Sequence, residues 1–192
     1  MENVEWSENV ILVDGDYIDK VAFDLIVNFE RMLMRRIPNA DLARWIECAS
    51  LDGGMKPDSL SDVQVIFIHS HDRMQNFAPS SFADDINGQA FRSALGEVMM
   101  TAYPVEPIVA KDDFFLQILD VLKEAKEVKR LILVPDAESY INKVKKMVSA
   151  IEDKNITLLS MQPQTGGNFR QEILGYSLMN ALGIHADELE RL

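Results

Sequence analysis

Residues 10–19, VILVDGDYID, run four apolar side chains into Asp14, Gly15 and Asp16 and then straight into a helical spacing. A short apolar run that stops at a carboxylate reads as a buried strand reaching a polar edge. Ile18, Val21, Leu25, Phe29 and Met32, widened by Ala22, Ile26 and Leu33, recur every three or four positions and predict a long helix ending near Ile37–Pro38. A strand that passes directly into a helix is half of a βαβ unit, which predicts an α/β domain with a parallel sheet.

The rest of the chain supports that reading. VQVIFIHS (63–70) and KRLILVPD (129–136) repeat the pattern of an apolar run ending in polar residues. Further strands are expected in ARWIECAS (43–50), near 107–110 in YPVEPIVA, and in NITLLSM (155–161). Helices are expected at about 88–100, in DDFFLQILDVLKEA (112–125) with Asp112 or Asp113 as its cap, at about 138–153 and at 169–182, the last closed by Gly183. The expectation is one domain over 1–192, an open, mostly parallel Rossmann-like sheet with helices on both faces. Residues 10–13 should form an interior strand between VIFI and LILV.

The chain has 192 residues, 47% hydrophobic, with 19 Lys and Arg against 31 Asp and Glu, a formal charge of −12. That charge repels phosphate backbones at long range and counts against a high-affinity nucleic-acid binder. Met1 to Asn9 lack the basic-then-apolar pattern of a signal peptide, and no apolar run reaches the length of a membrane span. The single cysteine, Cys48, allows no intramolecular disulfide and no thiolate zinc site, so the expected location is the cytoplasm.

In open parallel sheets ligands sit beyond the carboxyl ends of the strands. Asp14 and Asp16 follow the first strand, Lys111, Asp112 and Asp113 follow PIVA, and Asp136 and Glu138 follow LILV. Any one of these acids is more simply a helix cap, but recurrence at three strand ends predicts a cluster that needs a cation. Asp14 should be the most enclosed, with Asp136 facing it and Asp16 capping the first helix. His69 and His71 share a strand face and could hold a metal, although solvation of a strand end is the simpler role. Gly166-Gly167-Asn168, read as a helix start, could hold a phosphate. The apolar side of the last helix, with Phe169, Ile173, Leu174 and Leu178, should cover the sheet or form a homo-oligomer contact.

Taken in order, the strand ending in Asp-Gly-Asp, the immediate long helix, the acid leading a later helix and the strand ending in acid-x-acid resemble the NYN domains of the PIN-like ribonuclease group, over residues 8–162. The resemblance implies a magnesium or manganese site that activates water to cut RNA. Matched residue by residue, Asp14, Asp113, Asp136 and Glu138 would be catalytic, and Asp14, Asp16, Asp112, Asp113, Asp136 and Glu138 would hold the metal. Tyr17 stands where the family usually carries Asn, and Val134-Pro135-Asp136-Ala137-Glu138 where it usually reads Ser-Gly-Asp-x-Asp. Two expectations therefore stand side by side: a metal-dependent endoribonuclease, or a degenerate relative serving as a non-catalytic Rossmann-like binding or scaffold domain. ILVDGDYI also resembles the nucleophile motif of haloacid-dehalogenase-like phosphatases, which implies Asp14 as nucleophile, Asp16 as general acid/base, and Ser70 and Lys111 in support.

Overall fold

The structure, a computed structural model, describes residues 4–57 and 60–192. Its centre is β1 (Asn9–Asp14), every residue of which is buried. β1 pairs in parallel with β3 (Val63–His69) on one side and β7 (Arg130–Val134) on the other. This is the expected placement of residues 10–13 between VIFI and LILV. Outside these three lie β6 (Gly96–Pro104) and β5 (Ala90–Ser93) at one end, and β8 (Asn155–Ser160) and β9 (Arg170–Ile173) at the other. The order is β5-β6-β3-β1-β7-β8-β9, and only β5 runs antiparallel to its neighbour. The fold is an open, mostly parallel α/β sheet of the Rossmann-like kind.

Alternation along β1 divides the core between two layers. Ile11 and Val13 face α1 (Gly15–Leu33), α2 (Leu42–Asp52) and α5 (Leu174–Ala181), where Ile18, Trp45, Ile46 and Leu178 are fully enclosed. Val10 and Leu12 face α3 (Lys111–Glu124) and α4 (Ile141–Val148) through Phe115, Ile118, Leu119 and Val144. Burial on both faces explains why the three central strands are uninterrupted apolar runs. No helix among the described residues is long and apolar enough to cross a membrane.

Several elements differ from expectation. Residues 43–50 lie in α2, not in a strand. Asp41 accepts the Arg44 N–H at 3.2 Å as its cap, and Leu42, Trp45, Ile46 and Ala49 bury one face at helical spacing. Asp41 also ends the short strand β2 (Ala40–Asp41), which pairs with β4 (Phe77–Ala78) apart from the main sheet. The expected helix at 88–100 is the β5–β6 hairpin. Val98, Met100 and Ala102 point inward while Glu97, Met99 and Thr101 do not, a period of two that the Met pair and Gly96 obscured. Residues 107–110 form no strand, because β6 already supplies that position in the sheet. The expected helix at 138–153 shortens to α4, and the one at 169–182 divides into β9 and α5. A last short helix, α6 (Ala186–Leu189), follows α5.

Gly15 is required where β1 turns into α1. A Cβ there would lie 2.7 Å from Phe82 Cζ and 3.3 Å from the Ile68 carbonyl. Phe82 cannot withdraw freely, because it is fully buried and stacks on the His69 ring with centroids 4.1 Å apart. Gly15→Ala should therefore destabilise the fold by about 1–3 kcal/mol through overpacking. Chemical denaturation would measure this, and an unchanged midpoint would show that the junction tolerates a methyl group.

Candidate functional site

At the carboxyl end of β1 the Asp14 side chain is completely enclosed, as expected. Its carboxylate accepts the Tyr17 N–H at 3.1 Å and the Tyr140 hydroxyl at 2.7 Å, and Lys111 Nζ lies 3.5 Å away. Asp14 is thus the N-cap of α1, the part assigned above to Asp16. The reason is geometric: the last strand residue precedes the first free helix N–H groups, whereas Asp16 already lies inside the first turn. Burial pushes the Asp14 carboxyl above the usual range, while Lys111, Tyr140 and the Tyr17 N–H pull it back.

Asp16 instead ties β1 to the loop after β3. It accepts the Ser70 N–H at 2.7 Å and the His71 N–H at 3.2 Å, and the His71 ring nitrogen Nδ1 is 3.1 Å away. Lys111 Nζ donates to it at 2.6 Å. Burial raises the Asp16 carboxyl, but the Lys111 ammonium and the two backbone N–H groups outweigh it and hold the group below its ordinary value. Lys111 keeps its proton more firmly than usual, because both carboxylates outweigh its own desolvation. A cation as the first residue of α3 opposes the helix dipole, so these two carboxylates account for its position.

The other expected acids stand elsewhere. Asp136 accepts the Glu138 N–H at 3.0 Å and the Ser139 hydroxyl at 2.9 Å, closing its own turn. From that same turn it is Tyr140 whose hydroxyl reaches Asp14. Glu138 is exposed and pairs with Lys20. Asp112 pairs with Lys143 and accepts the Asp113 N–H, and Asp113 is exposed. Neither caps α3, whose N-cap is Ala110 without a side-chain bond. Among the described residues no three His, Cys, Asp or Glu side chains are grouped so as to hold a metal ion. The donors that do converge, Asp14 and Asp16, share an ammonium, an arrangement that does not fit a divalent cation needing direct oxygen bonds of roughly 2.0–2.6 Å.

The two histidines are used separately. His69 Nδ1 lies 2.8 Å from the His71 carbonyl oxygen and its ring packs on Phe82, while the His71 ring faces solvent beside Asp16. Gly166-Gly167-Asn168 starts no helix: both glycines have positive φ and the chain enters β9 at Arg170, so the helix dipole invoked for a phosphate is missing. Tyr140 carried no sequence signal. Lys111 did carry one, a basic residue where a helix start favours an acid.

Tyr140→Phe should destabilise the fold by about 1–3 kcal/mol, because Asp14 loses a buried donor. The sign with pH follows from Asp14. Its folded value is raised above 3.8, so its contribution is fully present below that value and is lost as the pH rises through the folded one. Removing a donor to the ionised form enlarges that loss, so the variant should suffer more at neutral pH than below pH 3.8. Asp16, held below 3.8, behaves oppositely: its contribution is present above 3.8 and is lost as the pH falls through its folded value. Denaturation of Tyr140→Phe at several pH values tests this, and a penalty independent of pH would contradict the role given to the hydroxyl.

No curated protein and no solved structure matches the chain. One family model matches residues 3–189, nearly all of the sequence. The chain therefore belongs to the family of unknown function DUF6621.

Proposed function

We propose that this protein is a non-catalytic binding domain of PIN-like (NYN-like) ancestry, in which Lys111 stands where a nuclease of that group would hold its metal. The observation that carries the reading is the position of Lys111 Nζ, 2.6 Å from Asp16 and 3.5 Å from Asp14. An ammonium there neutralises the acid pair without offering a Lewis acid or a metal-bound water. Complete burial of Asp14 supports the same conclusion, since a catalytic carboxylate must reach its substrate. Pro135, without an N–H, is a further departure from the nuclease pattern, and the net charge of −12 disfavours RNA as a lasting partner.

A second reading draws on the same residues. Lys111 and the Ser70 loop both converge on the Asp-Gly-Asp turn, as a haloacid-dehalogenase-like phosphatase would require. The enclosed Asp14, capping its own helix, makes a poor nucleophile, and hydrolysis of an aryl phosphate is the assay that would revive this reading.

The binding-domain reading predicts that millimolar magnesium or manganese leaves the melting temperature of the natural chain unchanged and that single-stranded RNA is not cut. Lys111→Ala should lose about 2–4 kcal/mol, because two neighbouring carboxylates are left uncompensated. Manganese should restore part of that loss in the variant alone, about 1.4 kcal/mol at ten times the dissociation constant. A metal-dependent rise in melting temperature of the natural chain that disappears in Asp14→Asn, together with RNA cleavage, would establish the endoribonuclease instead.

A further inference from the structure

Between α1 and the loops that follow β7 and β8 lies a crevice of about 330 Å³, lined by neither Asp14 nor Asp16. It lies at the topological switch point, where connections from β1 and β7 leave toward opposite sides of the sheet. Its volume is at the lower end of the range for small-ligand pockets. Val21 and Leu25 from α1, with Ala137 and Met161 from the loops, supply an apolar wall, and the Tyr17 ring lies at its inner end.

The polar part of the lining has one sign. Asp24 and Glu138 bring carboxylates, and Asn28, Gln162 and Gln164 bring amides, while among the described residues no Lys or Arg lines the crevice. Burial pushes the Tyr17 phenol up to about 12, and Glu138, Asp136, Asp14 and Asp24 add to that rise. The far wall is held in place before any ligand arrives. Gln171 Oε1 accepts the Gln164 N–H at 2.6 Å, Gln171 Nε2 donates to the Gln164 carbonyl, and Ser160 Oγ donates to the Gln162 carbonyl at 2.7 Å. The two carboxylates disfavour an anion such as phosphate here. For a cation with an apolar stem the lining offers carboxylates and amide oxygens to the charge, and aliphatic side chains with an aromatic ring to the stem.

We propose that this crevice is a binding site for an alkylammonium group, held by Asp24 and Glu138 with its stem against Leu25, Met161 and Tyr17. This deepens the binding-domain reading and rests on it. The Lys20 ammonium, which already pairs with Glu138 at the rim, is an intramolecular stand-in that the ligand displaces. A free alkylamine and a lysine side chain of a peptide present the same chemistry.

The test titrates the full chain with pentylamine, its neutral counterpart pentanol and its acidic counterpart pentanoate, following the Met161 methyl and the Tyr17 ring by NMR. Pentylamine should give saturable shifts confined to the crevice, and the other two should not. Asp24→Asn and Glu138→Gln should each weaken binding about tenfold, the scale of one charge-assisted hydrogen bond. Lys20→Met, by freeing Glu138, should tighten it several-fold. A lysine-containing peptide run beside pentylamine identifies the source: tighter binding by the peptide assigns a protein partner, and equal binding assigns a free amine. Equal binding of pentanol, shifts that spread over the acidic surface without saturation, or no shifts at all would each overturn the site. None of these outcomes bears on the metal and cleavage results, so the two proposals fail separately.

Discussion

The carboxyl edge of the sheet is organised around one ammonium group. β1 brings Asp14 to the end of a strand buried on both faces, and Asp16 follows two residues later, so two negative charges are forced together in a poorly solvated place. Such charges persist only with a compensating cation or with protons. Lys111 supplies the cation from the start of α3, about a hundred residues away in sequence and immediately after the crossover from β6. The position of α3, the anchoring of the Ser70–His71 loop and the helical entry of α1 are all tied to that contact.

The consequences separate the edge into two regions. Around the Asp-Gly-Asp turn the polar groups are spent on one another: Asp16 on Lys111 and the loop N–H groups, and Asp14 on the Tyr17 N–H and the Tyr140 hydroxyl. On the β7 and β8 side the chain leaves a crevice whose acids sit on its rim. A hydrogen-bonded network that fixes the backbone thus stands beside an open crevice whose far wall is itself held by hydrogen bonds.

The central strands were legible because each carries an unbroken apolar run, the mark of burial on both faces, and VILV, VIFI and LILV pair as that mark implies. The edges were less legible. β9 is the short, mostly polar segment Arg170–Ile173, and its pairing with β8 leaves no periodic trace. Residues 43–50 are an apolar stretch too short for periodicity to separate helix from strand, and the cap that decides it, Asp41, lies just outside. The enclosure of Asp14 could be read from its place at the end of β1. Its partners could not, because Lys111 and Tyr140 meet it only through the tertiary fold, 97 and 126 positions away along the chain. Asp136 and Glu138 reach the right sheet edge, but the turn they form binds Asp136 to its own backbone and turns Glu138 outward.

The claim on which this account depends is that the Lys111 ammonium, and no metal, lies between the two acids. The most direct measurement is a crystal structure of the natural chain soaked in manganese, with anomalous data collected at the metal's absorption edge. The account predicts no anomalous peak between Asp14 and Asp16 and Lys111 Nζ within hydrogen-bonding distance of Asp16. A peak between the two carboxylates, with the Lys111 side chain displaced, would contradict it.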